Sequence, residues 1–285
     1  MMLKEIKTIF HEELDTIYPK EEVDAFFYRL IEHYLKLDRF VLVLQPHLTV
    51  TKEEEQPLFE ALAGLKLEKP LQYILGVAYF MDLELKVNEH VLIPRPETEE
   101  LVEWILNEYQ VERSRDLNIL DVGTGSGCIA IALARKLPNA KVYAMDVSKE
   151  ALKVAKSNAE LNQVKVNFFM ADVLKLELQP EHKFDIIVSN PPYVRELEKN
   201  KIKNNVKEHE PNLALFVPDN DALLFYRAVA TSAEKHLMKN GRLYLEINQY
   251  LGKETKALLE AHNFSEIELR KDLFGNDRML KGIKP

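Results

Sequence analysis

From about Pro94 to the C-terminus, short apolar runs alternate with longer amphipathic stretches, and this alternation limits the fold more than any other feature. The runs fall at 118–122, 141–146, 165–170, 184–189, 242–247, 265–270 and 278–283. Strands that alternate with helices pair in parallel, because each crossover returns the chain to the same end of the sheet. The last two runs are too close for such a crossover, so the final strand is expected to run antiparallel. The expected class is α/β, a Rossmann-like seven-stranded, mostly parallel sheet with an antiparallel last strand.

The N-terminal region reads differently. Leu3, Ile6, Phe10, Leu14 and Ile17 recur at helical spacing. Pro19 opens a second helix, with Glu21 and Glu22 in the first turn and Val23, Phe26, Phe27, Leu30, Ile31, Tyr34 and Leu35 on its apolar face. Thr51 and Glu54 form a capping-box pattern ahead of Leu58, Leu62 and Leu65. Such a bundle carries no catalytic constellation and reads as a docking module. The period then drops to two, with Leu83, Leu85 and Val87 alternating with polar residues. A turn at Asn88-Glu89-His90 into Val91-Leu92-Ile93 would complete a β-hairpin. The expected domains are a helical docking domain at 1–76, a hairpin linker at 77–94 and a catalytic domain at 95–285.

Composition narrows the function. The formal charge is −8, with 38 basic against 46 acidic residues. Proteins that bind by neutralising phosphates usually present a basic face, so a protein partner is expected and direct nucleic-acid binding is not. No run approaches the length of a membrane span, which argues against membrane association. The single cysteine, Cys128, fits a reducing cytoplasm. Histidine and cysteine spacings offer no metal-ligand pattern, and no metal is expected.

The first strand of the α/β region runs into Asp121-Val122-Gly123-Thr124-Gly125-Ser126-Gly127, and a helical run follows. Glycines there permit positive φ and close approach of a ligand to the backbone, although a tight strand-to-helix turn would use the same residues. The second strand ends in Asp146, placed to accept from ribose hydroxyls or to serve as an acid near a helix start capped by Ser148. The third ends in Ala171-Asp172-Val173, where an acid can accept from an adenine amine and Val173 can pack on the ring. A dinucleotide fingerprint would place a glycine at Cys128. The G-x-G-x-G spacing, with acids ending strands two and three, instead resembles the class I S-adenosylmethionine methyltransferases.

The fourth strand runs into Asn190-Pro191-Pro192-Tyr193. Two prolines fix two φ angles and remove two N–H donors, and the residue before them is held extended. The turn therefore presents the Asn190 side-chain oxygen and a backbone carbonyl from a stiff frame. These acceptors can hold both hydrogens of an –NH₂ group while Tyr193 packs on a planar substrate. An amide nitrogen is a poor nucleophile, so rate would come from positioning and electrostatics without a strong general base. A rigid loop is the alternative reading of the prolines alone.

Asn-Pro-Pro-Tyr in this setting resembles methyltransferases acting on planar exocyclic or amide nitrogens. Further segments sharpen the likeness: Pro70 to Gly76, Leu92 to Glu99, Asp121 to Ala130, Asn190 to Val194, Glu210-Pro211 with Ala214-Leu215, Leu243 to Ile247 and Asp272 to Arg278. Together they resemble the peptide chain release factor glutamine N5-methyltransferases, the HemK/PrmC family, over nearly the whole chain. The resemblance implies methylation of the glutamine in the Gly-Gly-Gln motif of class 1 release factors, yielding N5-methylglutamine and S-adenosylhomocysteine and modulating translation termination. It implies cofactor contacts at Gly123, Thr124, Gly125, Ser126, Gly127, Asp146, Asp172, Val173 and Asn190. It implies catalytic and substrate contacts at Asn190, Pro191, Pro192 and Tyr193. Arg95 to Thr98 belongs to the same region in the family, and from the residues alone also reads as a helix start. One departure lies at Asp219-Asn220-Asp221-Ala222-Leu223-Leu224, where the family carries an Asp-Gly-Leu stretch.

Two other classes compete. A methyltransferase for a base amine in DNA or RNA would use the same turn, and a non-catalytic binding module could retain the fold. Trp104 reads as core, Cys128 as a small buried side chain, and Lys199 to Lys203 as a solvated loop or a partner contact.

Overall fold

The computed structural model describes residues 1–109, 116–175 and 182–285. They form two compact units, Met1–Gly76 with Asn204–His209, and Val77–Lys203 with Glu210–Pro285.

The first unit follows its helical periodicity. Helix α1 (Leu3–Leu14) buries Leu3, Ile6, Phe10 and Leu14. Pro19 caps α2 (Lys20–Leu35), which buries Val23, Phe27, Leu30 and Ile31. A short α3 (Val41–Leu44) precedes α4 (Lys52–Lys66), whose capping box joins Thr51 and Glu54 as expected. Helix α5 (Leu71–Leu75) ends at Gly76 in the left-handed conformation. Phe10 and Phe27 meet edge to face at 5.6 Å in a core shared by α1, α2 and α4. Ile17 lies beyond the end of α1 and is exposed, so it does not extend the apolar face. Residues 204–209 join this unit, with Asn204 Nδ2 donating to Glu68 Oε1 at 3.4 Å and the His209 ring meeting the Leu67 carbonyl at 2.8 Å.

The second unit opens on a hairpin of β1 (Val77–Phe80) and β2 (Leu83–Lys86). This corrects the expected hairpin. The turn is Met81-Asp82, both residues at positive φ (46° and 64°), whereas 88–93 forms no strand. Two consecutive left-handed residues make the tight turn that suits the twist of paired strands. Neither is Gly or Asn, so composition does not advertise it. The hairpin belongs to the second unit: Lys86 N donates to Asn158 Oδ1 at 2.7 Å, and Asn158 Nδ2 donates back to the Lys86 carbonyl at 2.9 Å.

The remaining elements are α6 (Pro96–Glu108), β3 (Asn118–Val122), α7 (Cys128–Lys136), β4 (Lys141–Asp146), α8 (Lys149–Leu161), β5 (Val166–Met170), β6 (Phe184–Ser189), β7 (Val194–Arg195), α9 (Asn204–His209), α10 (Asn212–Leu215), β8 (Phe216–Val217), α11 (Leu224–His236), β9 (Leu237–Glu246), α12 (Gly252–Ala261), β10 (Ser265–Lys271) and β11 (Asp277–Ile283). The main sheet has the order β10-β11-β9-β6-β3-β4-β5. Strands β5, β4, β3, β6 and β9 pair in parallel, and β11 runs antiparallel to both neighbours, as expected of the last strand.

Successive residues of a strand point to opposite faces, and here both faces are covered. Ile119, Ile186, Val188 and Tyr244 join the core with Leu101, Ile105 and Leu133, while Leu120, Ile187, Leu243 and Leu245 join the one with Tyr226, Val229 and Leu259. Trp104 is core, as expected, set edge to face with Tyr244 at 5.5 Å. Among the described residues no helix is long and apolar enough to cross a membrane.

Candidate active site

A cavity of about 250 Å³ opens where β3, β4, β5 and β6 end. In parallel α/β sheets this is where ligands bind, because the loops leaving the strands diverge there.

The first wall is the loop after β3. Gly123 and Gly125 have φ of +75° and +54°, and a Cβ at either would meet nothing within 4 Å. Their lack of side chains leaves room against the backbone for a ligand. Gly123 N and Thr124 N both donate to the Met145 carbonyl, tying the loop to the end of β4. Thr124 Oγ1 donates to Asp121 Oδ2 at 2.6 Å beneath the loop. Asp121 is fully buried, and burial pushes its carboxyl up to about 7. Gly127 does something else. It caps α7 at a φ of +85°, and a Cβ there would lie 2.9 Å from Ile131 Cδ1 and 3.2 Å from Ala155 Cβ. It lets α7 pack against α8 and does not line the cavity. Thr124, Ser126 and Cys128 do line it, and burial pushes the Cys128 thiol up to about 12.

Asp146 closes the next wall. Its Oδ2 accepts from Gly125 N and its Oδ1 from Ser148 N, both at 2.9 Å. Burial raises its pKa, against the pull of those backbone donors. The two readings of this acid are compatible: it faces the cavity, and it lies beside the start of α8, where the Ser148 side chain accepts from Ala151 N. Asp172 and Val173 line the cavity beyond β5, and Asp172 Oδ1 accepts from Leu174 N at 3.0 Å.

The opposite wall is the turn after β6. Ser189 Oγ donates to the Val122 carbonyl at 2.7 Å, locking the exits of β6 and β3 together. Asn190, Pro191 and Pro192 line the cavity, and Tyr193 does not. The Tyr193 hydroxyl turns toward Glu246, to whose Oε1 it donates at 2.9 Å. Burial and the Glu246 charge hold that hydroxyl well above the ordinary tyrosine value. Tyr193 therefore braces the turn from behind, a placement the expected stacking role did not foresee.

Glu210 and Glu246 carried no site role in the sequence, and Arg95 to Thr98 read both as part of the site region and as a helix start. Thr98, on the first turn of α6, lines the cavity, so the Arg95 to Thr98 segment is both a helix start and part of the wall. Arg95 Nη2 donates to Glu210 Oε1 at 2.6 Å, and Ile93 N donates to Glu210 Oε2 at 3.2 Å. Glu246, only 1% exposed, ends β9 after Leu243-Tyr244-Leu245. An acid at the end of so apolar a strand was the available signal. The Asp219–Asp221 turn, where the chain departs from the family pattern, is held by Asp219 Oδ1 accepting from Leu197 N and by two Arg227 bonds to Asp221, each 3.0 Å long. Lys199 pairs with Glu196 beside it.

The strand order, the glycine loop after β3 and the acid ending β4 define a class I methyltransferase. Residues 100–212 match the family described as methyltransferase small domain, and residues 10–76 match the PrmC N-terminal domain. The release factor glutamine methyltransferase of Flavobacterium psychrophilum is 52% identical over 99% of this chain and 99% of its own. That of Bacteroides thetaiotaomicron is 40% identical over 98% of this chain and 99% of its own. A methyltransferase of known structure from Pyrococcus furiosus shares the fold, with a TM-score of 0.52 at 19% identity over 82% of this chain and 99% of that one. The chain belongs to the release factor glutamine methyltransferase family.

Proposed function

We propose that the chain transfers a methyl group from S-adenosylmethionine to N5 of the glutamine in the Gly-Gly-Gln motif of class 1 release factors. The observation that carries this reading is the meeting, in one cavity, of Asn190, Pro191 and Pro192 with the glycine loop and Asp146.

The residues present fit the cofactor. Side-chain-free backbone at Gly123 and Gly125 faces open space, as a ligand lying on the loop requires. Asp146 would offer carboxylate oxygens to the ribose of the cofactor, and Asp172 with Val173 would hold its adenine; all three line the cavity. Bound there, the cofactor supplies a methyl group on a positively charged sulfur. The chain's part is to hold and aim the acceptor. Asn190 Oδ1 and the carbonyls of a proline-stiffened turn accept the two amide hydrogens of the glutamine, orienting its nitrogen lone pair toward the cavity. Fixed acceptors need no reorganisation as charge develops, which is where such sites gain most of their rate.

The helical unit at 1–76 is assigned to docking the protein substrate, and 95–285 to the chemistry. Phe40, Val43 and Leu44, on and beside α3, are 58%, 79% and 75% exposed, apolar surface of the kind a protein partner covers. The net charge of −8 favours a protein substrate over nucleic acid, and the single cysteine fits a cytoplasmic enzyme.

Incubation with methyl-labelled cofactor and unmethylated release factor, followed by mass spectrometry of the peptides, tests the reading. Label is expected on the Gly-Gly-Gln glutamine. Label that persists when that glutamine is replaced, or that goes instead to free polynucleotide, would overturn it.

A further inference from the structure

Asn190 carries a donor and an acceptor on one planar group, and only one of them can face a substrate –NH₂ productively. Which end faces the cavity is decided by the partners of the other. The partner is Thr98, itself bonded to Glu246, and both lie far from Asn190 in sequence.

Glu246 Oε2 accepts from Thr98 Oγ1 at 2.7 Å, and its Oε1 accepts from the Tyr193 hydroxyl at 2.9 Å. Both carboxylate oxygens are thus engaged by hydroxyl protons. The single proton of Thr98 is committed to Glu246, which leaves its oxygen only lone pairs to offer. Asn190 Nδ2 fills that need, donating to Thr98 Oγ1 at 3.1 Å. An inverted amide would set Asn190 Oδ1 against a hydroxyl oxygen that has no proton left to give, leaving two acceptors face to face.

We infer that Glu246 and Thr98 are positioning residues that fix the orientation of the Asn190 amide, holding its Oδ1 toward the substrate nitrogen. The inference rests on the reading of Asn190 as the amide-holding residue and adds what makes it an acceptor. The array has a direction: a carboxylate orients a hydroxyl, and the hydroxyl orients an amide. Arg278 supports the source of that direction. Its Nη1 lies 3.5 Å from the Tyr193 hydroxyl and its Nε donates to the buried Asp272 at 3.1 Å. Burial raises the pKa of Glu246, and the Thr98 and Tyr193 hydroxyls together with the Arg278 charge oppose that rise. A protonated or neutral side chain at 246 would lose the rule, because it could donate to Thr98 and let Thr98 turn its own proton toward Asn190.

The test uses the full-length enzyme, S-adenosylmethionine and unmethylated release factor. Turnover, release-factor KM, cofactor Kd and Tm are measured for Thr98→Val, Thr98→Ser, Glu246→Gln and Asn190→Ala. Thr98→Val keeps the shape and removes the hydroxyl, and kcat should fall about 10- to 100-fold, the scale of one misdirected polar contact in a transition state. Cofactor Kd and KM should stay within about twofold, and Thr98→Ser should restore kcat to within about threefold of wild type. Glu246→Gln, which can donate where glutamate only accepts, should lose turnover at least as far as Thr98→Val. Full kcat in Thr98→Val alongside a crippled Asn190→Ala would overturn the positioning role and leave the amide-holding reading intact. Full kcat in Asn190→Ala would overturn both. A folded Thr98→Ser, with wild-type Tm, that stays as slow as Thr98→Val would also overturn the inference, since the hydroxyl would then not be what matters.

Discussion

The two walls of the cavity are built by opposite means. The wall over β3, β4 and β5 is made largely of backbone: positive-φ glycines, N–H groups given to Asp146, and a loop stitched to the Met145 carbonyl. The wall over β6 and β9 is made of side chains. Asn190, Thr98, Tyr193, Glu246 and Arg278 come from four separate segments and meet in one hydrogen-bonded array. A large rigid cofactor needs space and a few fixed acids. A small amide that must be oriented needs a network with a defined direction.

The difference can be broken most forcefully at the loop. Gly125→Val puts a β-branched side chain at a φ of +54° and into the space beside the backbone. Calorimetric titration should show cofactor affinity falling about 100-fold or more, a scale set by left-handed backbone strain of about 1–2 kcal/mol plus the lost close approach. Undiminished binding would mean that the loop does not lie against the cofactor.

A smaller effect is expected beneath the same loop. Asp121 has a folded pKa of about 7 against an ordinary value of 3.8, so the folded state holds its proton more tightly than the unfolded chain does. The stability it contributes is complete below about pH 4 and is lost as pH rises to about 7. Asp121→Asn retains an acceptor for Thr124 and removes the titration. Relative to wild type the variant should gain a few kcal/mol in unfolding free energy between pH 4 and pH 7, at about 1.4 kcal/mol per pKa unit. Parallel pH profiles for the two proteins would contradict this.

On the other wall, Tyr193→Phe keeps the ring and strips Glu246 Oε1 of its donor. Thermal unfolding should reveal a loss of about 1–2 kcal/mol, the usual cost of leaving a buried polar group without its partner. Cofactor Kd should not move. An unchanged Tm would mean that the hydroxyl does not brace the turn.

The same contrast explains what the sequence disclosed. Backbone requirements leave local marks: glycines at 123 and 125 just after an apolar run, two prolines after Asn190, and acids at the ends of β4 and β5 are all legible in order. The antiparallel β11 was legible from a short connection. Gly127 was legible as a glycine but not as to purpose, because only the approach of Ile131 and Ala155 shows that helix packing demands it. The side-chain array left weaker marks, since Thr98 and Glu246 are 148 residues apart and their contact exists only after the sheet has formed. The Tyr193–Glu246 bond left no mark for the same reason: the two residues are 53 positions apart and meet only in the folded chain. The Met81-Asp82 hairpin turn stayed hidden because two non-glycine residues take left-handed conformations there, and strand pairing imposes what local preference would not.

The central claim is that the two walls divide the work, one holding the cofactor and the other aiming the acceptor. A paired measurement of cofactor Kd and single-turnover methyl transfer at saturating cofactor, made on Asp146→Ala and Asn190→Ala, tests it most directly. Asp146→Ala should weaken cofactor binding about 10- to 100-fold, the range for hydrogen bonds to a charged group, while the saturated rate stays within a few-fold of wild type. Asn190→Ala should slow the saturated rate about 100- to 1,000-fold, as loss of an oriented polar partner does elsewhere, with Kd shifted far less, by about a few-fold at most. If either variant moved both quantities to a similar extent, or if Asn190→Ala left the single-turnover rate intact, the division would be contradicted.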